Sequence, residues 1–374
     1  MMEQILALPD ADPIPLPAPV PLLKFLLLLT FILHIIPMNI LLGGSIIAVI
    51  TELLGRRGSN RFHKELIRDL GRALPIVTTY TVTLGVAPLL FVQVLYGQFF
   101  YTSSILMAWP WLFVVPLLIL GYYGLYLWYL KGEELGTSGT WIRIGSAVFF
   151  ALIGFLYTNN LVLMLTPEKW SGMYAASQKG LHLNLGDPTI FPRYLHFLLA
   201  ALAIAGLFIM VQGLLTYKKG ASEYGRWAIK YGSRWFIFPT LLQVIVGPLF
   251  LFSLPAVIRD SFLWQSPLAM LLLALGILLA LIGLGLVFLA SVAENPAIKS
   301  YLGIGCLVLT LVFMSLVRHL LREAYITPHF QVGELPVVSQ ISVFVLFFIL
   351  LLVGLGVIGY MVWKVVQAGK GATV

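Results

Sequence analysis

The chain has 374 residues, of which 60% are hydrophobic and only 10% charged, with a formal net charge of +8. A soluble domain carries about 25% charged residues, so this composition excludes folding around one aqueous core and points to a polytopic membrane protein.

Apolar runs long enough to cross roughly 30 Å of hydrocarbon at about 1.5 Å per residue recur at approximately 22–54, 74–101, 105–131, 140–165, 190–218, 229–254, 265–290, 299–323 and 338–365. They predict an all-α bundle of nine transmembrane helices. Residues 1–20 form a Pro-rich start (DADPIPLPAPVP) expected to lie extended on the outer face and touch a partner, and 21–374 form a single transmembrane domain. The first run has no charged segment before it and no small-residue cleavage site after it, so it reads as a span and not as a signal peptide.

Span one carries His34 in FILHIIPMNILLGG, followed by the charged stretch GRRGSNRFHKELIRDLGR, which reads as a solvated loop holding His63. Span four leads into a long outer segment, TPEKWSGMYAASQKGLHLNLGDPTIFPR, whose aromatics and His182 suit an ordered loop, a cofactor cap or a docking surface. Span five places His196 in PRYLHFLLAALAIAGLF, span seven places Met270 in SPLAMLLLALG, and span eight ends in LVRHLLREAY with Arg318, His319, Arg322 and Glu323. Cys306 is the only cysteine, which excludes CxxCH attachment of haem c, a Cys-ligated cluster and an internal disulfide. The sequence shows no phosphate-binding glycine loop, no internal repeat and no nucleophile triad.

Alternate gaps hold 16 of the 23 lysines and arginines. By the positive-inside rule the N-terminus is outside and the C-terminus cytoplasmic, in the inner membrane of a bacterium or archaeon. The basic residues sit in short juxtamembrane loops, so the net charge is a topology signal and gives no nucleic-acid surface. With that orientation five of the six histidines fall on the outer half, and a histidine inside the bilayer normally holds something or is held. His34 and His196 are therefore candidate ligands of non-covalent haem iron, with Met270 a candidate thioether partner or a plain packing residue.

The chain resembles subunit I of the cytochrome bd quinol oxidases. FILHIIPMNILLGGSIIAVITELL resembles that family's first helix with its ligand histidine and an inner glutamate, here Glu52. VTTYTVTLGVAPLLFVQVLYGQFF is similar to its second, RIGSAVFFALIGFLYTNN to its fourth, PRYLHFLLAALAIAGLFIMVQG to its fifth, and SPLAMLLLALG to the helix with a methionine ligand. The resemblance implies that His196 and Met270 ligate a low-spin haem b near the outer face, that His34 ligates a second haem, and that about two or three haems are bound. It also implies a late carboxylate ligand. Glu323 matches that position, but His319 lies one turn earlier and is the better iron ligand, or the second ligand of the His196 haem. Arg318 and Arg322 would pair with haem propionates, or snorkel to the interface and pair with Glu323.

Two departures bear on activity. The family delivers protons through carboxylates in helices two and three, and the matching positions here are Gln93 and Leu120. Its long quinol loop between helices six and seven is replaced by the short SLPAVIRDSFLWQ. Without a mid-membrane proton carrier, oxygen reduction has no evident proton route. The expectation is a b-haem subunit that exchanges electrons between membrane quinol or quinone and a periplasmic partner such as a c-type cytochrome. A divergent oxidase and a haem-free anchor or transporter are the alternatives.

Overall fold

The structure, a computed structural model, describes residue 9 and residues 14–57, 61–132, 134–218 and 222–368. Most of the predicted outer segment at 1–13 lies outside the described residues. The helices are α1 (Val20–Arg57), α2 (Arg61–Leu106), α3 (Ala108–Leu112), α4 (Val114–Lys131), α5 (Gly136–Met164), α6 (Trp170–Ala176), α7 (Ile190–Lys218), α8 (Ser222–Ser253), α9 (Ala256–Trp264), α10 (Pro267–Val292), α11 (Ala297–Ile326) and α12 (Ile341–Ala368). Among the described residues nine helical stretches are long and apolar enough to span a membrane, α3 and α4 together forming the third. Every predicted span is present.

The charged stretch after span one is the main difference. It is not a loop, because α2 starts at Arg61, well before the apolar run begins. Leu66, Leu70 and Leu74 recur every fourth residue and are all buried, so this turn-by-turn apolar stripe carries the helix through a polar-looking sequence. His63 accordingly is half-buried on a helix: its ring packs on Trp227 and Tyr231, with centroids 5.4 and 5.9 Å away. Along α8 the rings of Tyr224, Trp227 and Tyr231 stack at 6.0 and 4.7 Å, which walls off this end of the bundle.

Small residues set the closest helix crossings. A Cβ on Gly43 of α1 would lie 2.1 Å from the Ala201 carbonyl oxygen of α7, so glycine is the only side chain that this crossing accepts. α7 and α8 meet in the same way at Gly206 and Gly232. Hydroxyls inside the spans bond back to their own helix, Thr30 to the Leu26 carbonyl at 2.7 Å and Ser45 to the Leu41 carbonyl at 2.7 Å. They add polarity without leaving an unpaired donor in hydrocarbon.

At the end of the bundle away from the chain's start, Glu52 makes a two-pronged ion pair with Arg143 at 2.5 and 2.6 Å, and Arg143 also lies over the Trp128 ring. At the N-terminal end the long connection between α5 and α7 is ordered. It contains a 3-10 turn (Pro167–Lys169) and α6, and is held by Lys169 to Asp187 at 2.6 Å and by the Asn184 amide to Asn159. Leu16 forms a parallel bridge with Val337. The described part of the N-terminal segment therefore straps the α11–α12 connection of its own chain.

Candidate cofactor site

His34 faces α2. Its Nδ1 lies 3.0 Å from the Thr81 carbonyl, and a Cβ on Gly85 would stand 2.9 Å from its Cε1, so the ring is seated on a glycine. A carbonyl oxygen can only accept. Nδ1 therefore carries the proton and the neutral ring leaves its Nε2 lone pair free, the arrangement that orients metal-ligating histidines.

His196 faces α8, a different interhelical gap. Its Nδ1 is buried without a hydrogen-bond partner among the described residues, and a Cβ on Gly247 of α8 would stand 3.9 Å from its Cε1. Gln243 of α8 donates Nε2 to the His196 carbonyl at 2.7 Å, while its own Oε1 is buried unpaired. Arg193, one turn before His196, lies over the Phe250 ring at 4.9 Å, and its Nε is another buried orphan. Unpaired buried polar atoms are rare and costly, at about 1–3 kcal/mol each. Three in one gap between two helices mark a place arranged for a further polar group.

His34 and His196 sit at similar depth. α1 and α7 run in the same direction and touch at Gly43 and Ala201. The histidines precede that crossing by nine and five residues, a difference of roughly 6 Å along the helix axes.

His319, Arg322, Glu323, Tyr96 and Lys24 form a network at the N-terminal end. Glu323 accepts Lys24 Nζ at 2.6 Å on one oxygen and the Tyr96 hydroxyl on the other, so both carboxylate oxygens are engaged. Arg322 donates to His319 Nδ1 at 2.8 Å and lies over the Tyr96 ring at 5.1 Å. A guanidinium can only donate, so the neutral His319 ring keeps its proton on Nε2 and has no free lone pair. The helix α2 kinks at Tyr96, where φ is −137° and ψ 37°, and the side chain is fully buried. Arg318 lies over the Phe31 ring at 4.4 Å. Arg193 and Arg322 each lie close enough to Arg318 for their charges to act on it, and none of the three makes an ion pair among the described residues.

Met270, by contrast, is 43% exposed in the first turn of α10, beside a buried Ala269. Gln93 is half-buried within reach of the Tyr101 hydroxyl, and Leu120 is 54% exposed on α4. Among the described residues the carboxylates of the spanning helices lie toward helix ends, as Glu52 and Glu323 do. His182 bonds through Nε2 to the Ser177 carbonyl of its own loop at 2.7 Å. Nothing in the bulk pattern of the sequence marks Arg193, Gln243, Gly247 or Lys24 as part of a site. Arg193 one turn before His196, and Lys24 within an apolar run, were the available signals.

No family model matches the chain, and no curated protein matches it in sequence. Five solved chains match it in structure. One is a chain of the bd oxidase from Geobacillus thermodenitrificans, with a TM-score of 0.76 over 96% of this chain and 100% of that one, at 14% identity. At that identity the likeness is one of fold: this is a multi-pass helical membrane protein built on the bd-oxidase fold.

Proposed function

We propose that the chain is a b-haem membrane subunit that moves electrons between membrane quinol or quinone and a redox partner on the outer face, for which a c-type cytochrome is the expected class. The observation that carries the reading is His196, a half-buried imidazole at α7 and α8 whose Nδ1 is buried without a partner among the described residues, with a glycine opposite and an arginine one turn above. The residues fit a haem: His196 and His34 would each hold an iron in its own interhelical gap. Arg193, Arg318 and Arg322, which make no ion pair among the described residues, would take the propionates through charge-assisted hydrogen bonds. When bound, haem supplies one-electron chemistry, tuned by its axial ligands and by burial. His319, whose accepting nitrogen is used by Arg322, serves to fix that arginine, and the exposed thioether of Met270 is given no part.

Helix-end carboxylates, with Gln93 and Leu120 at the positions considered above, favour electron transfer over oxygen reduction. A reduced-minus-oxidised visible spectrum with a pyridine haemochrome assay on purified protein tests the reading. The expected result is a b-type α-band. An additional long-wavelength chlorin band with sustained quinol-dependent oxygen uptake would replace the reading by a quinol oxidase, and folded protein without haem would overturn both.

A further inference from the structure

We propose that the cavity between the first turn of α1, the kink of α2 and the last turn of α11 binds the dihydroxylated ring of a quinol. The cavity measures about 170 Å³, and its lining includes Lys24, Tyr96, Glu323, Phe330, Gln331 and Val332. By the measure that a water needs about 10–15 Å³ of such space, it accommodates a single substituted ring.

The chemistry of the lining matches both oxidation states. The Glu323 carboxylate and the Tyr96 oxygen, whose single proton is given to Glu323, are acceptors for quinol hydroxyls, and the Lys24 ammonium, which gives one of its three donors to Glu323, keeps donors for a quinone carbonyl. Phe330 offers an aromatic surface and Gln331 a side-chain amide. The position suits an amphipathic ligand as well. Lys24 is one turn inside the start of α1 and Glu323 one turn before the end of α11, so the charged groups sit at the rim of the hydrocarbon where a quinol head group resides.

Two features of the backbone shape the cavity. The kink at Tyr96 is where α2 abandons helical dihedrals, and the buried phenol so placed reaches Glu323 across the bundle. The connection that supplies Phe330 to Gly333 is tied to the N-terminal segment by the Leu16 amide to the Pro336 carbonyl at 2.7 Å and the Val338 amide to the Leu16 carbonyl at 2.9 Å. Other places serve less well. The cavity of about 240 Å³ between α1, α2 and α12 is lined by apolar side chains with Thr30 and Thr83 and has no ionisable group. In the α5–α7 connection His182, Lys169 and Asp187 are spent on internal bonds.

From this cavity the path to the arginine cluster is one ring thick, because Arg322 lies over the same Tyr96 whose hydroxyl bonds Glu323. The inference rests on the quinol half of the proposed function and does not depend on haem.

Fluorescence quenching of 2-heptyl-4-hydroxyquinoline N-oxide, a quinol-like probe, on the purified full chain tests it. Saturable quenching at one site per chain is expected, weakened about tenfold or more in Lys24→Met and in Glu323→Gln. Because either change leaves one buried charge alone, the double variant Lys24→Met with Glu323→Gln is included, and it is expected to fold and still bind weakly. Gln331→Ala, on the exposed rim, should lose affinity with unchanged melting. Wild-type affinity in the folded double variant, or no saturable quenching by the wild type, would overturn the site. Probe binding to a protein without haem would leave this site standing and sink the haem reading, whereas haem without probe binding would do the reverse.

Discussion

Which ring nitrogen a histidine has left over decides what it can hold. Thr81 presents a carbonyl to His34, and Arg322 presents a guanidinium to His319, so two histidines of the same neutral charge expose opposite faces of their chemistry. His34→Ala and His196→Ala are therefore each expected to remove haem absorbance while the protein still inserts. His319→Gln is expected to keep the bands, with a displaced Arg322 changing the midpoint potential. Visible spectra and a redox titration of the three variants check this, and loss of a band in His319→Gln would return that residue to the ligand set. The sequence alone places His34 and His196 in apolar runs, and that much of the proposed site is legible in it. It could not show the tautomers or the separate gaps, because those depend on a carbonyl 47 residues away from His34 and on an arginine three residues from His319.

At the scale of the helix, glycines and loop pairs carry the specificity. The Gly43 Cα faces the Ala201 backbone so closely that a methyl group would have to displace α7 itself. Gly43→Ala should cost about 1–3 kcal/mol, seen as a lower melting temperature in detergent. Gly285→Ala, with open space at its Cβ, should melt like the wild type. The α5–α7 connection depends on charge instead. Burial acts to raise the Asp187 pKa, but the hydrogen bonds from Lys169 and Thr189 outweigh it and hold the carboxyl below its ordinary value. A depressed carboxylate stabilises the fold fully above the unfolded value of about 3.9, and that contribution disappears as pH falls through the lower folded value. Asp187→Asn at neutral pH should mimic the acid form, with faster amide exchange across residues 177–189 and no change in the spans. Hydropathy had located every spanning helix, since the bilayer imposes one length on all of them. It missed the early start of α2 because Arg61 to Arg72 looks polar in bulk, and only the buried every-fourth-residue leucines show the helix.

For the molecule as a whole, the two proposed haem ligands and the polar cavity lie on the half of the bundle that holds the start of α1, and the Glu52–Arg143 pair lies toward the other. Which side of the membrane that half faces fixes which redox partner can reach it. The bias of 16 of 23 basic residues toward the opposite end predicts that the cavity end is outside, because such residues are retained on the cytoplasmic side. The prediction is open to direct labelling, since replacing Cys306 leaves the chain without cysteine. Single cysteines at Lys179, in the α5–α7 connection, and at Glu134, beside α5 at the other end, then report the two faces. A membrane-impermeant maleimide applied to intact cells should label the first and spare the second until the membrane is opened. The reverse pattern would put both histidines and the cavity toward the cytoplasm, and an outer-face cytochrome could no longer be the partner even if the haem and quinol assignments both held.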